Sequence, residues 1–161
     1  MRRPRRTVAL VLVTGTVCAA CVDSGESGIV NAAATCIDWE VEAYLERGTS
    51  PDERDRTGRT ALAAAAAGPT EQCGQVLQLL LDDGADPNLR DDAGRTPIVW
   101  ATLEGSAENL EVLVRGGADP CAITALDPVP GYSGRAAIGV ARDRGADEVA
   151  VLAEQLTERC E

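Results

Sequence analysis

An internal repeat constrains the fold of this chain more than any other feature. The sequence Gly-Ala-Asp-Pro at residues 84–87 recurs at residues 117–120, a spacing of 33 residues, and a weaker copy lies at residues 48–52. A second marker, Gly-Arg-Thr, occupies residues 58–60 and 94–96, with a degraded form at residues 134–136. Because both markers keep one register, the sequence predicts successive copies of one structural unit that bury their apolar faces against each other.

Between the markers, apolar residues follow the spacing of amphipathic helices. Three segments carry them at positions i, i+3 and i+4, which predicts a longer, outer helix in each unit. After each Gly-Arg-Thr marker, Leu62, Ile98 or Ile138 is followed by small residues, which predicts a shorter helix with a closely packed face. The outer stripes are Val41, Tyr44 and Leu45; Leu77, Leu80 and Leu81; and Leu110, Leu113 and Val114.

The residues at the expected helix ends agree with this interpretation. Thr60 and Thr96 are suitable N-caps for the short helices, and Pro97 suits a first helical turn. Gly84 and Gly117 follow the outer helices, at positions where a left-handed residue commonly ends a helix.

A unit of turn, short helix, loop, longer helix and Gly-Ala-Asp turn, repeated every 33 residues, resembles the ankyrin repeat. Residues 91–98, Leu113, Val114 and residues 117–119 carry the likeness most clearly, and it covers about residues 29–157. The resemblance implies an all-α ankyrin-repeat solenoid of helix-turn-helix units with short β-turn connections. Within a domain at residues 29–161 it predicts an N-terminal cap repeat at 29–54, repeats at 55–91 and 92–124, and a C-terminal cap repeat at 125–157.

The sequence departs from the family in one respect that concerns cohesion between repeats. Where ankyrin repeats usually have the His of Thr-Pro-Leu-His, this chain has Ala63, Val99 or Gly139. In the family, that His helps to tie the turn of one repeat to its neighbour. We therefore expect other residues to join the repeats of this protein.

The N-terminal segment has the composition of an export signal. Four Arg residues precede an apolar run at residues 8–13, and small residues lead to Cys21, which predicts a lipoprotein-type signal peptide at residues 1–20. Residues 17–21 resemble the bacterial lipobox, so we expect Cys21 to be lipidated and residues 21–28 to form a flexible tether. Cys18 lies where the lipobox usually has Leu, which leaves secretion or release into the periplasm as the alternative to a cell-envelope lipoprotein.

Four further cysteines, Cys36, Cys73, Cys121 and Cys160, are an even number in a chain predicted to be exported, and this favours two disulfides. Three pairings are possible. Cys36 and Cys73 lie in equivalent loops of successive units, as Cys121 and Cys160 follow equivalent helices, so repeat register predicts Cys36–Cys73 and Cys121–Cys160. A metal site is not expected, because these cysteines lack the close spacing of zinc ligands and the chain has no His.

Composition argues against most catalytic mechanisms and against nucleic-acid binding. Without His or Lys, the chain has no Ser-His-Asp system, phosphate-loop lysine or Schiff-base residue, and we expect neither catalytic residues nor a cofactor. The segment 131–134 is one residue short of a nucleophile elbow, and residues 86–97 lack the Glu that ends a calcium loop. The net charge is -11, and it becomes -15 once residues 1–20, with four Arg and no acid, are removed. This charge argues against nucleic-acid binding, which needs a basic surface, and is compatible with a basic protein partner.

The resemblance also implies a binding surface, because ankyrin repeats grip protein partners with a concave face of turn tips and short helices. The sequence therefore predicts a non-catalytic protein–protein interaction module displayed outside the cytoplasm on the cell envelope. The alternative is an immunity-like or chaperone-like stabiliser of a basic exported or envelope protein, and an enzyme of unrecognised type is a third possibility. The predicted partner-binding residues are Arg54, Arg56, Arg59, Arg90, Asp92, Arg95, Leu103, Glu104, Tyr132, Arg135, Asp143 and Arg144.

Overall fold

Shorter and longer helices alternate along the chain in the computed structural model, which describes residues 27–68, 71–104, 106–125, 136–158 and 160. The described part contains no strand, only an isolated antiparallel bridge between Arg54 and Thr60. The predicted all-α fold is confirmed. The helices are α1 (Gly28–Ala34), α2 (Asp38–Glu46), α3 (Ala61–Ala66), α4 (Glu71–Asp82), α5 (Pro97–Glu104), α6 (Ala107–Arg115), α7 (Ala122–Ala125), α8 (Ala137–Asp143) and α9 (Asp147–Thr157).

Four antiparallel helix pairs stack into two layers. The shorter helices α1, α3, α5 and α8 pack side by side in one layer, and the longer helices α2, α4, α6 and α9 form the other. Every residue of α3 is buried, because its Ala side chains allow α1, α4 and α5 to pack closely around it. The core between the layers is aliphatic, and its largest side chains include Leu62, Leu77, Ile98 and Leu113.

The ends of the helices follow the sequence expectations at most positions. Thr60 accepts a hydrogen bond at its Oγ1 from the backbone N–H of Ala63, and Pro97 is the first residue of α5. Thr96, in contrast, has no hydrogen-bond partner for its buried Oγ1 among the described residues. The single turn α7 was not predicted from the sequence.

A left-handed residue ends the long helix α4, as predicted. Gly84 has a φ of 94°, its N–H donates to the carbonyl of Leu81, and the N–H of Ala85 donates to that of Leu80. These two bonds satisfy carbonyls that the end of the helix would otherwise leave unpaired.

At the end of α1, Cys36 occupies the place that Gly84 has after α4. The φ of Cys36 is 56°, its N–H donates to the carbonyl of Ala33, and the N–H of Ile37 donates to that of Ala32. Outside glycine, this conformation costs about 1 kcal/mol or more. A strained residue is therefore kept at the position that carries one of the predicted disulfides.

Both predicted disulfides are present in the structure. Cys36 is joined to Cys73 with the Cα atoms 4.8 Å apart, which links the end of α1 to the first turn of α4. Cys121 is joined to Cys160 with the Cα atoms 5.4 Å apart, which links the start of α7 to the residues after α9. The first bond connects the terminal pair α1–α2 to the pair α3–α4, and the second connects the end of the pair α8–α9 to the segment that follows α6. Gly68 lies so close to the first disulfide that a Cβ there would overlap both sulfurs.

Of the residues to which the N-terminal predictions apply, the structure describes only 27 and 28. The signal peptide, the lipidation of Cys21 and most of the tether lie outside the described residues. The tether prediction was wrong at its last residue, because Gly28 already begins α1 and packs against Tyr44 of α2. In the part of the chain that the structure describes, no helix has the length and apolar character to cross a membrane.

Candidate binding surface

The turns at residues 55–59 and 91–95 are equivalent, and they lie at the edge of the solenoid where α3 and α5 begin. In the first turn, Asp55 accepts hydrogen bonds at Oδ1 from the backbone N–H groups of Thr57 (2.8 Å) and Arg59 (3.0 Å). The guanidinium Nε of Arg59 pairs with Oδ2 of the same carboxylate at 3.3 Å. An acid and an Arg four residues apart thus hold the turn closed around its glycine.

These bonds determine the charge state of Asp55. Burial raises the pKa of its carboxyl, but hydrogen bonds from Thr57 and Arg59, with the charge of Arg59, outweigh it and lower the pKa below its ordinary value of 3.8. The carboxylate therefore remains ionised at neutral pH and keeps its bond to the guanidinium.

The second turn repeats this arrangement around Asp91. Its Oδ1 accepts from the backbone N–H groups of Ala93 and Arg95, both at 2.9 Å, and its Oδ2 accepts from Nε of Arg95 at 2.9 Å. The indole Nε1 of Trp100 donates to the same Oδ2 at 3.1 Å. The Asp91 side chain is only 1% exposed, and its two buried oxygens accept hydrogen bonds from four donors.

Trp100 is the centre of this surface, and the sequence analysis did not single it out. It is half-buried on the short helix α5. The guanidinium carbon of Arg95 lies 4.1 Å from the centroid of its ring, and that of Arg59, from the preceding turn, lies 5.8 Å away. Both distances are within the range of cation–π attraction. The sequence did offer a signal for this role. The chain has only two Trp residues, and Trp100 lies among the buried residues that follow a Gly-Arg-Thr marker.

Other predicted residues of the turns join the two repeats to each other. Arg54 donates from Nη1 to the carbonyls of Gly58 (2.8 Å) and Arg90 (2.6 Å). The N–H of Asp92 donates to the carbonyl of Thr57 at 3.0 Å. These residues supply part of the cohesion that the missing His would otherwise give. Arg56, Arg90 and Asp92 are exposed on the same edge.

The prediction for Leu103 was wrong, because this side chain is fully buried and cannot contact a partner. The reason is the position of α5, which is packed against α3, α6 and α8 and also against α7, so most of its circumference is covered. Glu104 is half-exposed at the end of α5. Arg144 donates from Nη1 to Oε2 of Glu104 (2.8 Å) and to the carbonyl of Leu103 (2.9 Å), which joins α8 to α5.

Asp143 is exposed beside Arg144, whereas Tyr132 and Arg135 lie outside the described residues. The structure therefore brings Arg59 and Arg95 together around Trp100, and it places Arg144 with Glu104 at the other end of α5.

A buried asparagine that sequence reasoning missed also connects neighbouring repeats. Asn109 of α6 is fully buried and donates from Nδ2 to the carbonyl of Gly68 at 2.8 Å and to that of Ala66 at 3.4 Å. It satisfies carbonyls at the end of α3, where no further helical N–H is available. A polar residue within an otherwise apolar helical stripe was the only sign of this role.

The described residues contain no group of three or more metal-ligating side chains with the geometry to hold a metal ion. The carboxylates of Asp55 and Asp91 instead accept hydrogen bonds from backbone N–H groups and from Arg, and Asp91 also accepts one from Trp100. What this edge can offer a partner is a set of guanidinium groups around an aromatic ring.

Comparison with known proteins identifies the family. A family model described as ankyrin repeats in three copies matches residues 29–124. Human cyclin-dependent kinase 4 inhibitor B is 35% identical over 126 residues, which cover 78% of this chain and 83% of that protein. Human ankyrin repeat domain-containing protein 63 is 39% identical over 77 residues, 47% of this chain and 19% of that protein. Protein PhlB of Serratia liquefaciens is 37% identical over 91 residues, 56% of this chain and 39% of that protein.

The chain belongs to the ankyrin-repeat family. The matched region covers the helix pairs α1–α2, α3–α4 and α5–α6, and the pair α8–α9 continues the same stack beyond it.

Proposed function

We propose that this ankyrin-repeat protein is a non-catalytic protein-interaction module that acts outside the cytoplasm, attached to the cell envelope through a lipid on Cys21. The observation that carries the proposal is the arrangement of Arg59, Trp100 and Arg95 on the surface of turns and short helices. Trp and Arg are the residues most enriched among those that dominate binding energy at protein interfaces.

The family and its members support a binding role. Human cyclin-dependent kinase 4 inhibitor B is named for an action on another protein, and it is similar to this chain over most of its length. The absence of His and Lys from the sequence removes the side chains on which most hydrolytic and transfer mechanisms depend. A partner protein, with no cofactor, is therefore the expected ligand.

Two features support an extracytoplasmic location. The four cysteines of the repeat domain are joined in two disulfides, and such bonds persist mainly in oxidising compartments. Residues 1–20 combine Arg residues, an apolar run and small residues before Cys21, which is the composition of a lipoprotein signal. Secretion or release into the periplasm, without the lipid, is the alternative location.

The location is tested by growth of the native host with a labelled fatty acid and fractionation of the wild type and Cys21→Ser. We expect the label and membrane association in the wild type alone. An unlabelled wild type in the soluble extracytoplasmic fraction would favour release, and a cytoplasmic wild type would contradict the proposal.

A second function, stabilisation or neutralisation of a basic exported protein, is favoured by another part of the surface. Trp39 on α2 is 65% exposed, and Asp38, Glu42 and Glu46 are exposed on the same helix. The net charge of -11 would attract a basic partner to such a surface. The two hypotheses therefore place the binding site around different Trp residues.

Affinity capture from the native envelope with three versions of the protein separates these hypotheses. The wild type is compared with Trp100→Ala and with Trp39→Ala, and mass spectrometry identifies the captured proteins. We expect Trp100→Ala to lose the specific partner and Trp39→Ala to retain it. Loss with Trp39→Ala alone would favour the second function, and full retention by both variants would contradict both surfaces. Circular dichroism confirms that each variant is folded.

A further inference from the structure

We infer that Arg59 and Arg95 form a clamp for a carboxylate beside Trp100, so that the partner presents an Asp or Glu side chain to this face. The inference rests on the proposed function, because the clamp lies on the surface proposed to bind the partner. It adds the chemistry of the group that is recognised.

Arg59 and Arg95 keep hydrogen-bond donors that their own turns do not use. Arg59 and Arg95 each use Nε to pair with the Asp of their own turn. Among the described residues, the terminal Nη groups of both side chains have no hydrogen-bond partner. Two guanidinium groups thus keep their outer donors available around one indole ring.

The carboxylates of Asp55 and Asp91 are less exposed than the guanidinium groups that pair with them. Asp55 and Asp91 accept bonds from backbone N–H groups and from the Arg side chains, and Trp100 adds a fourth donor to Asp91. Arg59 is 27% exposed against 13% for Asp55, and Arg95 is 17% exposed against 1% for Asp91. A partner that approaches the Trp100 ring therefore meets the guanidinium groups of Arg59 and Arg95 before it meets the carboxylates of Asp55 and Asp91, and Asp92 is the exposed acid of this edge.

The shape of the guanidinium groups suits a carboxylate. A guanidinium presents a planar fork that matches the two oxygens of a carboxylate, and stacking on an aromatic ring restricts its orientation. Arg95 lies 4.1 Å from the Trp100 ring centroid and is also fixed by Asp91, so it loses little freedom on binding. The net charge of the whole chain opposes an acidic partner, but salt screens that repulsion beyond roughly 10 Å.

The inference is tested with defined peptides and with Trp100 as the reporter. Trp39→Phe leaves Trp100 as the only Trp in the chain, so its fluorescence reports this face alone. Hexaglutamate, hexaglutamine and hexaarginine are titrated at an ionic strength of about 0.1 M, at which the net charge of the chain is screened beyond roughly 10 Å. We expect a saturable change in emission with hexaglutamate and none with the other two peptides.

Substitutions in the same background show whether the two guanidinium groups cause the change. Arg59→Gln should weaken hexaglutamate binding about tenfold, the loss that corresponds to one charge-assisted hydrogen bond. Arg59→Lys, which keeps the charge but not the fork, should give a smaller loss. The control is Arg115→Gln, which removes an exposed positive charge from α6 and should leave binding unchanged. Arg95→Gln supplies a second test, provided that circular dichroism shows an intact fold.

No response to hexaglutamate in the folded protein, an equal affinity in Arg59→Gln, or the same signal with hexaarginine would overturn the clamp. These outcomes differ from failure of the proposed function. Capture of a partner that depends on Trp100, without hexaglutamate binding, would refute only the clamp. Binding of hexaglutamate by a protein whose partners ignore Trp100→Ala would refute only the proposed function.

Discussion

The disulfide between Cys36 and Cys73 gives the most specific prediction, because two opposing contributions can be separated. The bond closes a loop with a sequence separation of 37 residues. In the chain-entropy account, a loop of that length stabilises the folded state by about 4 kcal/mol relative to the open chain. Substitution of both cysteines by Ala should therefore lower the free energy of unfolding by about that amount.

A second variant isolates the backbone strain at residue 36. Cys36 has a φ of 56°, which glycine adopts freely and Ala does not. Cys36→Gly combined with Cys73→Ala removes the same bond but should be more stable than the double Ala variant by about 1 kcal/mol. Both variants share the change at the buried Cys73, so its packing cost cancels between them.

Urea unfolding followed by circular dichroism measures the three free energies. The expected order is wild type, then the variant with Gly, then the double Ala variant, with a similar dependence on urea concentration in all three. Equal stability of the two variants would refute the argument from the left-handed conformation. A double Ala variant within about 1 kcal/mol of the wild type would refute the loop argument.

Four further substitutions test a joint between repeats, the backbone at two glycines and the charge of a turn. Asn109→Ala leaves two buried carbonyls without a donor and should lower the free energy of unfolding in urea by about 2 kcal/mol; an unchanged value would contradict its role as a link between repeats. Gly58→Ala combines a φ of 71° with an overlap on Asp92 and should destabilise by about 1–3 kcal/mol. Gly139→Ala, where no atom of the described residues lies within 4 Å of the new Cβ, should stabilise α8 by about 0.5–1 kcal/mol. A change in the free energy of unfolding with the same sign in both variants would contradict the difference expected between the two glycines. Folding lowers the pKa of Asp55. The ionised carboxylate therefore adds to the free energy of unfolding above its unfolded pKa of about 4, and this contribution is lost as the pH falls through its folded pKa. The stability difference between the wild type and Asp55→Asn should accordingly shrink on acidification, and a constant difference from neutral to acidic pH would contradict this.

Much of the fold could be predicted from the sequence because it depends on interactions that recur with the chain's own period. The stripe of Leu77, Leu80 and Leu81 indicated a helix with one buried side, and Gly84 indicated its end. The cysteine pairing followed from the same register, because corresponding segments of successive repeats lie side by side in a stack. The positions are not equivalent in detail, since Cys36 follows the end of α1 and Cys73 lies in the first turn of α4.

The binding surface was predictable only in outline. Repeat register indicated the turns that carry Arg59 and Arg95, but it did not indicate that both side chains converge on one ring. The prediction that Leu103 is exposed to a partner failed because repeat register predicts only one buried side for a short helix. In the structure, α7 and α8 cover further sides of α5. The contact of Asn109 with Gly68 joins residues 41 positions apart, and no local pattern encodes such a bond.

The sequence by itself determined the repeated helix pair, the residues that end its helices and the cysteines that meet, because each of these is a local preference copied along the chain. The tertiary structure decided which polar side chains cross from one repeat to the next, and therefore that the guanidinium groups of Arg59 and Arg95 both lie near the ring of Trp100. The physical reason is that hydrogen bonds and cation–π contacts require a particular distance and orientation between atoms. Only the stacking of complete repeats supplies that geometry.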